Sequence, residues 1–442
     1  MDYQTYLKSI LNEAEIVLME REYEKKPITA LRLNLLKCGN SKFVALFKNL
    51  ENHPYVGEAY YYDKEKEPFG KNPLHNAGSY YIQDASAMMV AKLLDVKQGD
   101  KVLDLCAAPG GKTSQVASYL LNSGLLVCND ISSKRVKDLS ENVERMGIRN
   151  AIVMNESIDK ISDTFEGYFD KVILDAPCSG QGMFRKNSLT YDDWSYDKTL
   201  NLANVQKDLI MKAYKCLRKD GIMVYSTCTF AVEENEEVIK YLLENTNASI
   251  IPIKKQKDFN DALVGMEGAI RLYPFNFKGE GHFICLIKCN DEHQNKVKYG
   301  NKSASRKDIE VYKTFERNYL NINLEGDFIK MGDELHLLPN NCFNIDRFKV
   351  LRNGLHLGTI KEKRFEPNHS LALYLKKEDA KCYLDFKYNS EDIKNYLKGF
   401  TMETINKKGY VLICVEGISL GWAKDDGRLL KNLYPKGLRV LE

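Results

Sequence analysis

The sequence predicts an α/β protein built on an open, mostly parallel, doubly wound sheet, with a small lobe before it and a β-rich module after it. Three observations point there. From residue 101 to 288, short apolar runs of strand character alternate with helix-like stretches of about 10–15 residues, the signature of strand–helix–strand units. Those runs show little in–out alternation, as expected of strands covered by helices on both faces. Past residue 306 the pattern changes to strand pairs around Asn-Gly and Glu-Gly turns.

The series opens with a strand at 102–106, which leads into Pro109-Gly110-Gly111-Lys112 and a helix over 112–121. Residues 125–130 form the next strand, followed by a helix over 132–146 that Gly147 ends. Strands at 151–155 and 171–177, a helix at about 201–217, a strand at 222–228, a helix at 233–244 and strands at 248–253 and 281–288 complete it. Ahead of this series, residues 30–36 alternate enough to be a strand, and the charged stretch 63–71 reads as a loop. Behind it, the polar stretch 289–306 reads as a linker. Residues 349–358 carry a hairpin signature around Asn353-Gly354, and residues 409–422 another around Glu416-Gly417. The expected domains are therefore an N-terminal lobe (1–75), the doubly wound domain (76–290), a linker (291–306), an intermediate region (307–385) and a small β-rich module (386–442).

Composition sets the outer bounds. A chain of 442 residues is too long for one ordinary core, and 44% hydrophobic with 28% charged residues is that of a soluble globular protein. No apolar stretch reaches the roughly 18 residues of a membrane span, and the opening Met1-Asp2-Tyr3-Gln4 lacks the basic-then-apolar pattern of a secretory signal. A cytoplasmic location is the expectation. The 11 cysteines form no CxxC pair, so neither a zinc knuckle nor a disulfide framework is expected, and most thiols should be small buried apolar groups. The net charge of +3 is uneven: residues 291–442 hold 27 Lys and Arg against 22 Asp and Glu. This mild basic excess suits either a polyanion-binding appendage or a lysine-rich solvated surface.

Three segments carry chemistry, and each ends a strand. In such sheets the loops at the carboxyl ends of strands form the ligand crevice. Pro109-Gly110-Gly111-Lys112 lets backbone approach a ligand and offers the free N–H groups of a helix start. It matches neither the P-loop nor the GxGxxG pattern, and a tight strand-to-helix turn is its plain alternative. Asp130, ending the second strand, is placed to accept the ribose hydroxyls of a nucleotide-like cofactor, or else to cap the following helix. Cys178, in Asp175-Ala176-Pro177-Cys178-Ser179-Gly180, and Cys228, in Ser226-Thr227-Cys228-Thr229, end the fourth and fifth strands. A thiolate there is a soft nucleophile for an electron-poor ring carbon, and Asp175 is within reach of an amidine-like base edge. A buried structural pair or a redox pair is the alternative.

Together, residues 106–113 (Cys-Ala-Ala-Pro-Gly-Gly-Lys-Thr), the Asp-Ala-Pro-Cys-Ser-Gly segment and the Ser-Thr-Cys-Thr segment resemble the Nop/Sun family of RNA cytosine-5 methyltransferases. Tyr80-Tyr81-Ile82-Gln83-Asp84, Arg271-Leu272-Tyr273-Pro274 and Gly279-Glu280-Gly281-His282-Phe283 agree with it, and the likeness covers about 73–288. Further on, Phe365-Glu366-Pro367-Asn368-His369-Ser370 and residues 431–439 resemble the RsmF-like ribosomal RNA branch, with its PUA-like barrel.

The resemblance implies a Rossmann-like class I methyltransferase fold and S-adenosylmethionine as cofactor, with no metal. It implies that Cys106, Ala107, Ala108, Pro109, Gly110, Gly111 and Lys112 line the cofactor. Asp130 would hold the ribose, with Arg135 beside it and Asp175 closing the site. It implies that Cys228 attacks C6 of the target cytosine, that Asp175 assists at N3 and that Cys178 helps release the product. One departure stands out: at the third strand's end, where many relatives have an acidic residue near the adenine, this chain has Met154-Asn155-Glu156-Ser157. The expected partner is RNA, 16S ribosomal RNA of the small subunit first and transfer RNA second, with the protein acting as a monomer. A DNA-type enzyme would need only the Pro-Cys thiol, and a non-catalytic RNA-binding or assembly factor would be expected to have lost a cysteine or the glycine turn. A small-molecule methyltransferase would leave the basic C-terminal third without a purpose.

Overall fold

The computed structural model describes residues 1–263, 265–362 and 364–440; the last two residues of the expected 386–442 module lie outside the described residues. A ten-stranded sheet forms its centre. The parallel part runs, in spatial order, Leu217–Thr227, Phe169–Asp175, Lys101–Asp104, Leu125–Asn129 and Ala151–Met154. The chain starts in the middle strand, fills one side, then crosses to fill the other, so a switch point falls beside Lys101–Asp104. His282–Lys288 adds antiparallel to Leu217–Thr227, and carries Ile270–Leu272 and Ser249–Ile251. The strands Lys101–Asp104, Leu125–Asn129 and Ala151–Met154 are almost wholly buried, because helices such as Gly111–Leu120, Arg135–Arg145 and Tyr196–Lys215 cover both faces.

The N-terminal lobe is a four-stranded sheet in which Ala30–Leu33 lies between Ala59–Tyr61 and Tyr80–Ile82. Tyr80–Ile82 pairs with this lobe although it falls past residue 75. At the far end, Tyr383–Phe386 straddles residue 385 and pairs in parallel with Gly409–Val415. The polar stretch before Arg306 holds no helix or strand, but Tyr299 and Ser303 bridge to Phe343 and Ile329.

The two turn signals of the C-terminal third behave differently. Glu416 and Gly417 both have positive φ (49° and 75°), which a type I′ turn needs, and Gly409–Val415 folds back onto Ile418–Asp425 as a hairpin. At Asn353-Gly354 only the glycine does (69°), and the expected hairpin does not form. The chain turns a corner instead. Val350–Asn353 extends the central sheet antiparallel to Ala151–Met154, while Leu355–Lys361 joins Glu334–Leu337 and Arg364–Pro367 in a separate sheet. The corner is tight: a Cβ on Gly354 would sit 2.4 Å from the Leu337 carbonyl oxygen.

The last module is packed against the first lobe. Leu31, Phe43, Tyr60 and Tyr80 share one apolar core with Ile393, Tyr396, Val411 and Leu420, and the Phe47 and Tyr388 rings stand 5.3 Å apart. Lys37 ties the lobe to the helix Arg135–Arg145: its Nζ donates to the Ala77 and Arg145 carbonyls, at the C-terminal ends of two helices.

Candidate active site

Strand order brings the chemistry together. Phe169–Asp175 and Leu217–Thr227 are parallel neighbours with Asp175 opposite Ser226, so the turns that follow them start side by side. Cys178 Sγ and Cys228 Sγ lie 3.2 Å apart, and both are unpaired thiols. The two turns are laced together: Gly182 N–H donates to the Cys228 carbonyl (2.8 Å), and the Ser179 and Thr229 hydroxyls share a hydrogen bond (2.8 Å). Gly182 is required by this closeness, since a Cβ there would lie 3.0 Å from the Cys228 carbonyl oxygen. The hydrogen bond to Cys228 and then burial push the Cys178 thiol well above its usual range, and Glu234 and Asp175 add to the effect.

Asp175 is tied to the glycine-rich turn. Its Oδ2 accepts from Lys112 Nζ (2.7 Å) and its Oδ1 from the Ser226 hydroxyl (2.8 Å). Burial favours the neutral acid, but the Lys112 ammonium, His282 and the Ser226 hydroxyl together outweigh it and hold the Asp175 carboxyl below its usual range. Lys112 is the second residue of the helix Gly111–Leu120, so the turn that would cradle a cofactor also positions the cation beside the cysteines.

The turn has the build of a ligand cradle. Gly110 has φ 107°, and a Cβ there would meet Leu139 Cδ1 at 3.1 Å. A Cβ on Gly111 would be ordinary for φ but would press on the Gln83 amide at 3.1 Å. Cys106 is partly exposed, Ala107 and Ala108 are buried, and Ala107 N–H donates to the Asn129 carbonyl (2.8 Å). Pro109 O accepts from Asn142 Nδ2 (2.8 Å), which docks the turn on the next helix.

Asp130 is not the cap of the following helix, whose N-cap is Lys134 without a side-chain cap bond. Its Oδ1 accepts from Ser132 N–H (2.9 Å), turning the chain towards the helix Arg135–Arg145, while its Oδ2 faces Ala108 N–H (3.3 Å) and Arg135 (3.5 Å). Arg135 in turn donates to the Ala108 carbonyl. At the third strand's end, Asn155 donates to the Asp130 and Ile131 carbonyls, Glu156 takes Lys160 and the Lys349 N–H, and Ser157 caps the helix Ile158–Thr164. Both bonds to the Glu156 carboxylate go to Oε1.

Two buried acids in this region were not singled out by sequence. Asp104 ends the middle strand, with Oδ2 accepting from the Thr113 hydroxyl (2.6 Å) and Oδ1 without a partner. Burial, with Asp175 adding, pushes its carboxyl up to about 7. Glu234 lies under the Cys178 turn. Asp104 stands at a strand end, a signal that could have found it; Glu234 sits inside the run Val232-Glu233-Glu234-Asn235-Glu236-Glu237, where nothing marks Glu234 and Glu236 as the buried acids. A separate cavity of about 870 Å³, lined by Asp163, Asp208, Lys212 and Asp291 among others, lies where the strands Phe169–Asp175 and Leu217–Thr227 begin, at the opposite edge of the sheet from the cysteines.

With this geometry in hand, the known proteins most like the chain can be placed. Residues 91–288 match the family described as 16S rRNA methyltransferase RsmB/F. Residues 1–85 match the N-terminal domain of 16S rRNA methyltransferase RsmF, 314–375 its first C-terminal domain and 383–440 its PUA domain. Ribosomal RNA small subunit methyltransferase F of Vibrio vulnificus is 31% identical, over 98% of this chain and 95% of the relative. The chain belongs to this family. The methyltransferase F of Shewanella oneidensis is likewise 31% identical, over 92% of this chain and 90% of its own length. Among solved structures, a methyltransferase homolog protein from Pyrococcus horikoshii is 30% identical with a TM-score of 0.54, covering 62% of this chain and 90% of that one. NSun6 from the same organism shares the fold, with a TM-score of 0.59 at 22% identity, over 66% of this chain and 98% of its own. The central sheet is thus a Rossmann-like methyltransferase fold, and a PUA domain ends the chain. Among the described residues, no helix is long and apolar enough to cross a membrane, and no cluster of His, Cys, Asp or Glu is arranged to hold a metal ion.

Proposed function

We propose that this protein methylates C5 of a cytidine in ribosomal RNA of the small subunit, using S-adenosylmethionine and a covalent bond between Cys228 and C6 of the base. The observation that carries the reading is the contact between Cys178 and Cys228 beside the Lys112–Asp175 pair. Two thiols, a carboxylate held ionised and a glycine-rich turn meet at the carboxyl ends of adjacent strands. The names of the relatives support ribosomal RNA as substrate, and the PUA domain supports RNA as the class of partner.

The residues fit the cofactor. Gly110 and Gly111 let the turn pack against Leu139 and Gln83 and bring bare backbone to the helix start, and a buried carboxylate at Asp130 stands beside the turn with acceptor capacity left. Residues 106–112 and Asp130 would hold it, with Arg135 at the rim. Bound there, S-adenosylmethionine supplies the methyl group that C5 takes up.

C5 of cytosine is a poor nucleophile until electrons are pushed into the ring. Cys228 thiolate adds to C6, which gives C5 enamine character. Asp175, fixed by Lys112 and Ser226, faces the base edge and stabilises the proton at N3 as the ring gains electron density. Once C5 is methylated, loss of its proton and departure of the Cys228 sulfur restore the aromatic ring, with Cys178 assisting release. Holding the base against the thiol supplies ~7–11 kcal/mol of such a barrier in favourable cases. The target nucleotide must be single-stranded or flipped out to reach the cleft.

The test is to express Cys178→Ala in cells and run the lysate on a denaturing gel. A slow, nuclease-sensitive RNA adduct on Cys228 is expected, and sequencing the attached RNA names the molecule and the base. An adduct formed by Cys228→Ala instead would reverse the two roles. No adduct from either variant would count against covalent catalysis.

A further inference from the structure

Beneath the two cysteine turns lies a buried polar network that the reaction as described does not use. Glu234 is fully buried, and its Oε2 accepts from Ser179 N–H (3.0 Å) and from Gln206 Nε2 (2.8 Å). The same Gln206 nitrogen donates to the Pro177 carbonyl (2.8 Å). The residues on either side of Cys178 are therefore both bound to one Glu–Gln pair. Glu234 is also anchored to the Cys228 strand, since its carbonyl accepts from the Tyr225 hydroxyl (2.6 Å). Its other carboxyl oxygen, Oε1, is buried with no partner. Burial raises the Glu234 carboxyl above its usual range, and the acceptor bonds from Ser179 and Gln206 oppose that by favouring the carboxylate. An unpaired buried oxygen of this kind is costly and calls for a reason.

We propose that Glu234 is the positioning residue of the cysteine pair: it fixes the Cys178 turn and places negative charge beside that thiol, which leaves Cys228 as the thiol that ionises and attacks. The assignment of roles rests on the function proposed above. The charged and titratable groups around Cys178 include Cys228, Glu234, Asp175, paired with Lys112, and the Tyr225 phenol, and Glu233 adjoins Glu234. All of these direct neighbours of Cys178 carry or can take negative charge, and Lys112 is engaged by Asp175.

The experiment follows alkylation of Cys178 by iodoacetamide, resolved by peptide mass spectrometry over a pH series. It compares Cys228→Ser with Cys228→Ser/Glu234→Gln. The glutamine keeps an oxygen for Ser179 and Gln206 and removes the charge. Cys178 is expected to react about tenfold faster at neutral pH, the change in thiolate fraction given by one pKa unit, with its profile shifted to lower pH. An unchanged profile overturns the proposal. Thr229→Val, in the same Cys228→Ser background, loosens the same turn by removing the Ser179–Thr229 hydrogen bond and leaves the charge in place. It is expected to leave the Cys178 profile where it was; an equal shift means that geometry rather than charge governs Cys178, and overturns the proposal too. Alkylation needs neither RNA nor cofactor. A failure here is therefore distinct from a failure of the methylation reading, which shows as missing RNA adducts in Cys178→Ala.

Discussion

Cys178 Sγ stands 3.2 Å from Cys228 Sγ although fifty positions separate the residues in the chain. Contact between the thiols requires that only one of them be the attacking group at a time. Cys228→Ala is expected to abolish methyl transfer, read as label incorporated into RNA. Cofactor affinity by calorimetry should stay within about threefold, because the turn at 106–112 and Asp130 are untouched. Residual turnover would move the nucleophile's role to Cys178.

Lys112, with His282 and Ser226, lowers the Asp175 carboxyl against burial. Lys112→Met removes that cation, so the Asp175 carboxyl pKa rises. If the ionised form is the active one, the acid limb of the pH–rate profile moves to higher pH, and turnover falls more at pH 6 than at pH 8. Removing one partner of a buried ion pair typically costs ~3–5 kcal/mol of stability. The loss here should be smaller, since the Asp175 side chain is 31% exposed. An acid limb that stays in place would show that Asp175 is not the group that sets it.

Asp130→Ala should weaken cofactor binding by roughly 10- to 100-fold, the range expected when a charged hydrogen-bonding group is lost. Turnover at saturating cofactor should change less than affinity. Equal affinity in calorimetry would confine Asp130 to shaping the turn towards Arg135–Arg145.

Asp104 makes stability depend on pH in an unusual direction. Its carboxyl is pushed up to about 7 in the folded protein from an ordinary value of 3.8, so the folded state binds the extra proton between these values. Its contribution is present at low pH and is lost as pH rises through about 7, with ~4 kcal/mol as an upper limit. Asp104→Asn should therefore raise the melting temperature at pH 8 relative to the parent, and much less at pH 5. The same gain at both pH values would show that Asp104 is not protonated in the folded protein.

The PUA domain completes the N-terminal lobe's core. A chain ending at residue 382 should leave Phe43, Phe47 and Tyr60 without their cover, melt several degrees lower and bind a hydrophobic dye. An unchanged melting temperature would make the module an independent appendage.

The sequence by itself determined a great deal. Helical and extended periods are local, so the alternation between residues 101 and 288 fixed an open sheet with a parallel centre. The glycine turn and the two cysteine turns were legible because each follows a strand directly, and their chemistry lies in adjacent residues. The Glu416-Gly417 hairpin was also local, since both residues accept the positive φ it needs. What only the tertiary structure decided is which distant segments meet. Strand order put Phe169–Asp175 between Lys101–Asp104 and Leu217–Thr227, and so created the thiol contact and the Lys112–Asp175 pair. The same level turned Asn353-Gly354 into a corner between two sheets and buried Glu234 and Glu236 out of a run of four acids. It also joined the first lobe to the last domain through Phe47 and Tyr388. These contacts span tens to hundreds of residues. Pairing at such separations depends on packing and loop closure rather than on any repeating local pattern, so it leaves no periodic trace in the chain.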